Sequence, residues 1–272
     1  MTVFLLMTVF ATAQKKKKQS EDDLNGYREF ARLGQIYMQL PLQMNVHFIY
    51  KSTPVIRDQD SAETDIVLYY GKNDFYMQTE GLEQIANDTL LVMVNNESKM
   101  INLYPNNGQV MKNLERMVSV LMPDSSLEKL AQQYSAKILD EGKDLKRIIL
   151  QSRDKIYGTD LFKETISVVY QGTTFQPLTY DQAKLNLLPV DSTVYSQLGG
   201  DPAYAGRLVS ISRDGSNLFF VVKEKITQCR FTKITFDQQV PPAREQDRVV
   251  RTISGEYQPA KGFENYLVSK EF

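Results

Sequence analysis

Up to Pro41 the apolar residues of this chain are spaced for a helix, and from Met44 onward they are spaced for strands. Leu24, Tyr27, Phe30, Ala31, Gly34, Tyr37 and Met38 recur at steps of three and four, the period that aligns one helical face, and Pro41 ends it. Met44, Val46, Phe48 and Tyr50 then alternate with Asn45, His47 and Lys51, as on a strand with one face more apolar than the other. Further strand-like runs follow at 66–70, 75–79, 90–94 and 100–104. Gly71-Lys72-Asn73-Asp74, Asn87-Asp88 and Asn95-Asn96-Glu97-Ser98 separate them with residues that tolerate positive φ or bond their own backbone. Short alternating runs joined by such turns pair most readily with their sequence neighbours, so the spacing predicts an antiparallel meander.

The helical period returns after Gly108, where Val110, Met111, Leu114, Met117, Val118 and Leu121 share a stripe that stops at Pro123. A second helix is expected directly behind it. Ser125 and Glu128 fit a capping box, Leu127, Leu130, Ala131, Tyr134 and Ile138 form its apolar face, and Gly142 is placed to end it. The remainder reads as strands at 148–150, 166–170, 208–211, 218–222 and 231–236, with Asp214-Gly215 as a hairpin turn and 198–206 as a Gly- and Pro-rich loop. No repeat or low-complexity linker divides the chain, so residues 24–272 are expected to form one domain. Its class is α+β with strands predominating: an N-terminal helix, an antiparallel meander, a central helix pair and a second strand group.

The first residues imply export. An apolar run at 3–10 leads to Ala11-Thr12-Ala13, a small-x-small pattern cleavable before Gln14. The run is shorter than the roughly 20 residues a bilayer span needs. Residues 1–13 are therefore expected to be a signal peptide, followed by a charged flexible leader at 14–23, with no transmembrane segment after cleavage. No cysteine follows the cleavage position, which closes the route to a lipid-anchored product. Formal charge is −1, with the lysines at 15–18 offset by Glu21, Asp22 and Asp23, and nothing suggests a nucleic-acid footprint.

Residue counts exclude much chemistry. His47 is the single histidine, so sites needing two imidazoles are ruled out, and no G-x-S-x-G elbow accompanies it. Cys229 is also alone, which forbids an intrachain disulfide and suggests a buried, inert thiol on a strand. Asp58 and Asp60 begin like a calcium loop, yet Ala62 stands where the next ligand belongs. Gly199-Gly200 and Gly206-Arg207 lack the G-K-[ST] ending of a phosphate loop. A hydrolase would need a carboxylate pair, which has no fixed spacing. No catalytic residue, metal ligand or cofactor is assigned. What remains is a set of large side chains at alternating strand positions: Val46 and Phe48, Phe75 and Met77, Leu91 and Met93, Ile101 and Leu103. Core packing produces such a stripe, and so does an adaptable apolar cavity.

The helix ending near Pro41, the strand at 44–51, the pair Ile66-Val-Leu-Tyr-Tyr-Gly-Lys-Asn-Asp-Phe-Tyr-Met and the run Glu83-Gln-Ile-Ala-Asn-Asp-Thr-Leu-Leu-Val-Met-Val resemble the LolA/LolB-like periplasmic lipoprotein carriers. The likeness is best over 24–105. It implies an unclosed antiparallel half-barrel holding helices on its concave side, with an apolar groove for acyl chains at Phe48, Phe75, Met77, Leu91, Met93, Ile101 and Leu103. The implied role is a soluble periplasmic carrier of a lipid or lipoprotein. An alternative is a non-catalytic accessory subunit of an envelope or secretion assembly. The segments at 109–142 and 195–207 are larger than that fold usually needs, and no arginine matches the family's lid-locking one.

Overall fold

The computed structural model describes residues 21–36, 39–55, 60–106, 108, 112, 127–156, 159–213 and 215–271. The expected signal segment, the leader up to residue 20, Asp58, the stripe from Val110 to Leu121, Ser125 and Asp214 lie outside the described residues. The chain opens with α1 (Glu21–Ile36) and a meander of six strands: β1 (Leu42–Thr53), β2 (Ser61–Tyr70), β3 (Phe75–Thr79), β4 (Leu82–Ala86), β5 (Leu90–Asn95) and β6 (Met100–Pro105). The turns form as their residues dictate. Gly71 donates its N–H to the Asp74 carbonyl at 2.8 Å, while Asn87 Oδ1 and Asn95 Oδ1 each accept a backbone N–H three residues on at 2.9 Å.

The second half comprises α2 (Leu127–Gln133), β7 (Tyr134–Gly142), β8 (Leu145–Ser152), β9 (Glu164–Gln171), β10 (Pro177–Val190), α3 (Ser192–Leu198), β11 (Leu208–Arg213), β12 (Ser216–Thr235), β13 (Val249–Arg251), β14 (Tyr257–Pro259) and β15 (Leu267–Lys270). Among the described residues thirteen strands form one sheet, in the order β15-β6-β5-β4-β3-β2-β1-β12-β10-β9-β8-β7, with β11 on β12. Its ends β7 and β15 do not pair, so the sheet is open. The 20-residue β12 is the seam, pairing with β1 on one side and β10 on the other. Register shifts at Asn45/Val46 and at Pro177/Thr179 are bulges, which bend strands and increase their twist. The α+β class and unclosed antiparallel sheet are as the sequence predicts, with one exception: β15 lies parallel to β6.

Direct cross-strand partners share a face, because side chains alternate sides along a strand. One face carries α1 and α2, whose Tyr27, Phe30, Leu33, Leu130 and Ala131 pack on Ala136, Ile148, Leu150, Ile166, Val168, Tyr170 and Tyr180. Tyr180, Cys229 and Phe48 are successive cross-strand partners, so this helix face continues from β10 through β12 onto β1. The opposite face of β2–β6 is covered by the C-terminal tail, where Ala243, Val249 and Tyr266 join Tyr69, Tyr76, Ile85, Val92, Val94, Ile101 and Leu103.

Two local expectations are corrected, and one further element is added. The expected second central helix stops at Gln133, and Tyr134–Gly142 is strand β7. Tyr134 and Ile138 fit a helical step of four, but with Ala136 they also fit a step of two, and pairing with β8 favours the strand. Asp23 is no part of a solvated leader: it lies in α1, and its Oδ1 accepts the Ala136 N–H at 2.8 Å. A short helix, α3, precedes the Gly-rich loop, capped by Asp191, whose Oδ1 accepts the Val194 N–H at 2.8 Å.

Candidate functional site

The register sorts the seven candidate residues onto two faces. Met93 lies opposite Gln84, Gln84 opposite Met77, Met77 opposite Leu68, Leu68 opposite Met44 and Met44 opposite Ile234. This row crosses the helix face of the meander. A neighbouring row joins Leu91, Ala86, Phe75, Tyr70 and Leu42, and Phe48 lies on the same side opposite Cys229. Phe48, Phe75, Met77, Leu91 and Met93 are thus gathered on one surface. Ile101 and Leu103 are not. They pair with Val94 and Val92, belong to the tail-face cluster and are 0 % exposed. The reason is the strand period: Met93 and Val94 are adjacent, so their cross-strand partners point to opposite sides.

The two faces of β2–β6 differ in how they are closed. On the tail face Val92, Val94, Ile101 and Leu103 are fully buried beneath the C-terminal segment. That cover is fastened by Arg248, whose Nε donates to Glu83 Oε2 at 2.8 Å while its guanidinium lies 4.7 Å from the Phe263 ring centre. On the helix face Phe75 is buried, whereas Phe48, Met77, Leu91, Met93, Ile66 and Leu68 remain half-buried. Among the described residues this cluster holds only side chains from strands of the sheet and Phe236. Leu68 was not singled out from the sequence, because Ile66, Val67, Leu68, Tyr69 and Tyr70 are apolar on both sides and alternation cannot choose between them.

On the helix face a hydrogen-bonded set gathers around Glu164. Glu164 accepts from Tyr134 Oη at 2.7 Å and from Gln182 Nε2, and lies 3.2 Å from Lys184 Nζ. Burial raises the Tyr134 and Tyr180 phenols above the ordinary tyrosine range, with Glu164 adding to the effect. Cys229 is pushed up to about 11 by burial and the nearby Asp181, which leaves the thiol protonated and unreactive. His47, facing the other side of β1, lies 2.9 Å from Asp65 and 3.2 Å from Glu63. Its two ring nitrogens serve different carboxylates, and no group of three or more His, Cys, Asp or Glu able to hold a metal occurs among the described residues. An open cleft bounded by Leu40, Pro41, Tyr69, Lys72, Asp74 and Gln239 touches none of the seven candidates. No described helix is long and apolar enough to cross a membrane.

No family model and no curated protein matches the chain. Solved structures are similar to it at low identity. A DUF1329 family protein from Desulfovibrio piger overlaps with 12 % identity and a TM-score of 0.30, covering 82 % of this chain and 96 % of that one. A LolA superfamily protein from Nitrosomonas europaea gives 10 % identity and a TM-score of 0.27 over 79 % of this chain and 94 % of that one. An outer membrane lipoprotein-sorting protein domain from Vibrio parahaemolyticus gives 11 % identity and a TM-score of 0.26 over 82 % and 95 % of the two chains. Superpositions this loose carry no functional inference, and the site is defined by the sheet's own register and burial.

Proposed function

We propose that this chain is a soluble extracytoplasmic carrier that shelters an apolar ligand, a lipid or the acyl chains of a lipoprotein, on the helix face of its open sheet. The observation that carries this reading is the asymmetry between the faces. The same strands are sealed by the tail on one side, while on the other Phe48, Met77, Leu91 and Met93 stay half-buried around the buried Phe75 and present aromatic and thioether groups. Methionine is unbranched and polarizable, so such a surface adapts to chains of different shape. Each methylene removed from water contributes about 0.8 kcal/mol, enough for part of one acyl chain to bind without chemistry. Ile101 and Leu103 belong to the tail-face core in this reading, export rests on the apolar run at 3–10, and no catalytic step is invoked.

Purified protein analysed by native mass spectrometry should carry lipid, and it should move labelled lipid between vesicles. Met77→Asp with Met93→Asp should abolish both while the melting temperature falls little. Absence of bound lipid together with a large loss of stability would make these residues core.

A second reading, an accessory subunit that docks on other envelope proteins, draws on two exposed side chains. Leu267 on the edge strand β15 is 72 % exposed, and Ile253 in the turn between β13 and β14 is fully exposed. A stoichiometric protein partner lost on Ile253→Ser and Leu267→Ser, with no lipid bound, would favour it.

A further inference from the structure

Along the helix face the side chains change character from one end of the central strands to the other. On β1 the face reads Met44, Val46, Phe48, Tyr50, Ser52. On β12 the partners are Ile234, Phe231, Cys229, Thr227 and Lys225, with Lys223 two residues further. On β10 they are Tyr180, Gln182, Lys184 and Asn186. An apolar surface therefore ends in a hydroxyl- and lysine-bearing one on the same three strands. Ser52, Lys225 and Lys184 form a single cross-strand row that ends on Glu164.

Two features of this polar end call for a ligand. Lys223 Nζ bonds both oxygens of Asp60, at 2.8 and 2.9 Å, and Lys184 lies 3.2 Å from Glu164. Lys225, exposed beside them, has no ion pair among the described residues. Directly across from it, Ser52 is 0 % exposed and its hydroxyl has no hydrogen-bond partner. A buried hydroxyl without a partner is destabilising, and an anion held by Lys225 would supply the missing acceptor.

We propose that Ser52, Lys225 and the neighbouring Lys184 and Lys223 form the headgroup end of the apolar surface, so that the ligand is an anionic amphiphile: an acyl chain against Phe48 and Met44 and a phosphate or carboxylate at Lys225. This rests on the carrier reading. The charge and the donors select the headgroup, while the chain supplies most of the contact area.

Calorimetric titration of the protein below the critical micelle concentration tests it with three probes. These are lauroyl lysophosphatidylglycerol, monolaurin, which has the same chain without the charge, and glycerol phosphate, which has the charge without the chain. The charged amphiphile should bind about tenfold tighter than monolaurin, the gain expected of one charge-assisted contact, and glycerol phosphate far more weakly than either. That ratio should fall to about one in Lys225→Gln, survive in Lys225→Arg and be unchanged in Lys137→Gln, an exposed residue of β7. Equal affinity for the two lauroyl probes would overturn the headgroup site and leave the carrier reading standing. Tight binding of glycerol phosphate alone would overturn the amphiphile in favour of a free anion. Failure of both lauroyl probes to bind would remove the carrier reading and this inference with it.

Discussion

Gly26 of α1 stands against Ala136 of β7 so closely that a Cβ at position 26 would lie 2.6 Å from the Ala136 Cβ. One turn earlier on the helix, Asp23 accepts the Ala136 N–H. β7 is an end strand of the sheet, and α1 thereby satisfies a donor that would otherwise stand unpaired at the edge. Gly26→Val should therefore push α1 off β7 and lower stability by about 1–3 kcal/mol, the range for overpacked cores, read as a fall in the thermal or urea midpoint. A midpoint equal to wild type would mean that α1 shifts without cost.

Leu103 and Met93 lie on adjacent antiparallel strands yet face opposite sides. Leu103→Ala should cost about 2–5 kcal/mol, as for a fully buried leucine, and Met93→Ala less than half as much. Urea denaturation of the two variants checks this, and comparable losses would show that both faces are equally closed.

Alkaline pH should unfold the protein through its tyrosines. The Tyr134 and Tyr180 phenols are raised in the folded state by burial, so near and above the unfolded value of 10.0 the unfolded chain ionises first. Their contribution is complete below that value and is lost as pH rises through it toward the folded pKa. Tyrosinate absorbance followed with pH should show a late cooperative step coinciding with loss of circular dichroism. A single smooth titration at the ordinary tyrosine value would contradict the burial of both phenols.

Cys229 should resist modification. A thiol pushed from 9.0 to about 11 has about a hundredfold less thiolate at neutral pH, and burial limits access further. Aromatic disulfide reagents should label it at least about a hundredfold faster in denaturant than in buffer. Equal rates would place it at the surface.

The parts of this fold legible in the sequence are those governed by near neighbours. The stripe through Tyr27 and Phe30 specifies a helix because three- and four-residue steps fall on one side of it. Asn87 and Asn95 specify turns because their side chains reach backbone N–H groups two and three residues away. At Tyr134 to Gly142 the same residues satisfy two periods, and only pairing with β8 resolves which one forms.

What the sequence determined by itself is local: the N-terminal helix, the turns at Asn87 and Asn95, the alternation along the first strands, and that one histidine and one cysteine leave little room for metal chemistry. What the tertiary structure decided is which side of each strand faces what. Period two divides Leu91 and Met93 from Val92 and Val94 but assigns neither pair to a surface. That choice was made by distant residues: Ala243, Val249 and Tyr266 of the tail close one face, and β12 carries the other from the helices to Phe48. Likewise the row Ser52–Lys225–Lys184 unites positions far apart in the chain, because hydrogen-bond register sets which side chains meet, and register between distant strands is a property of the assembled sheet.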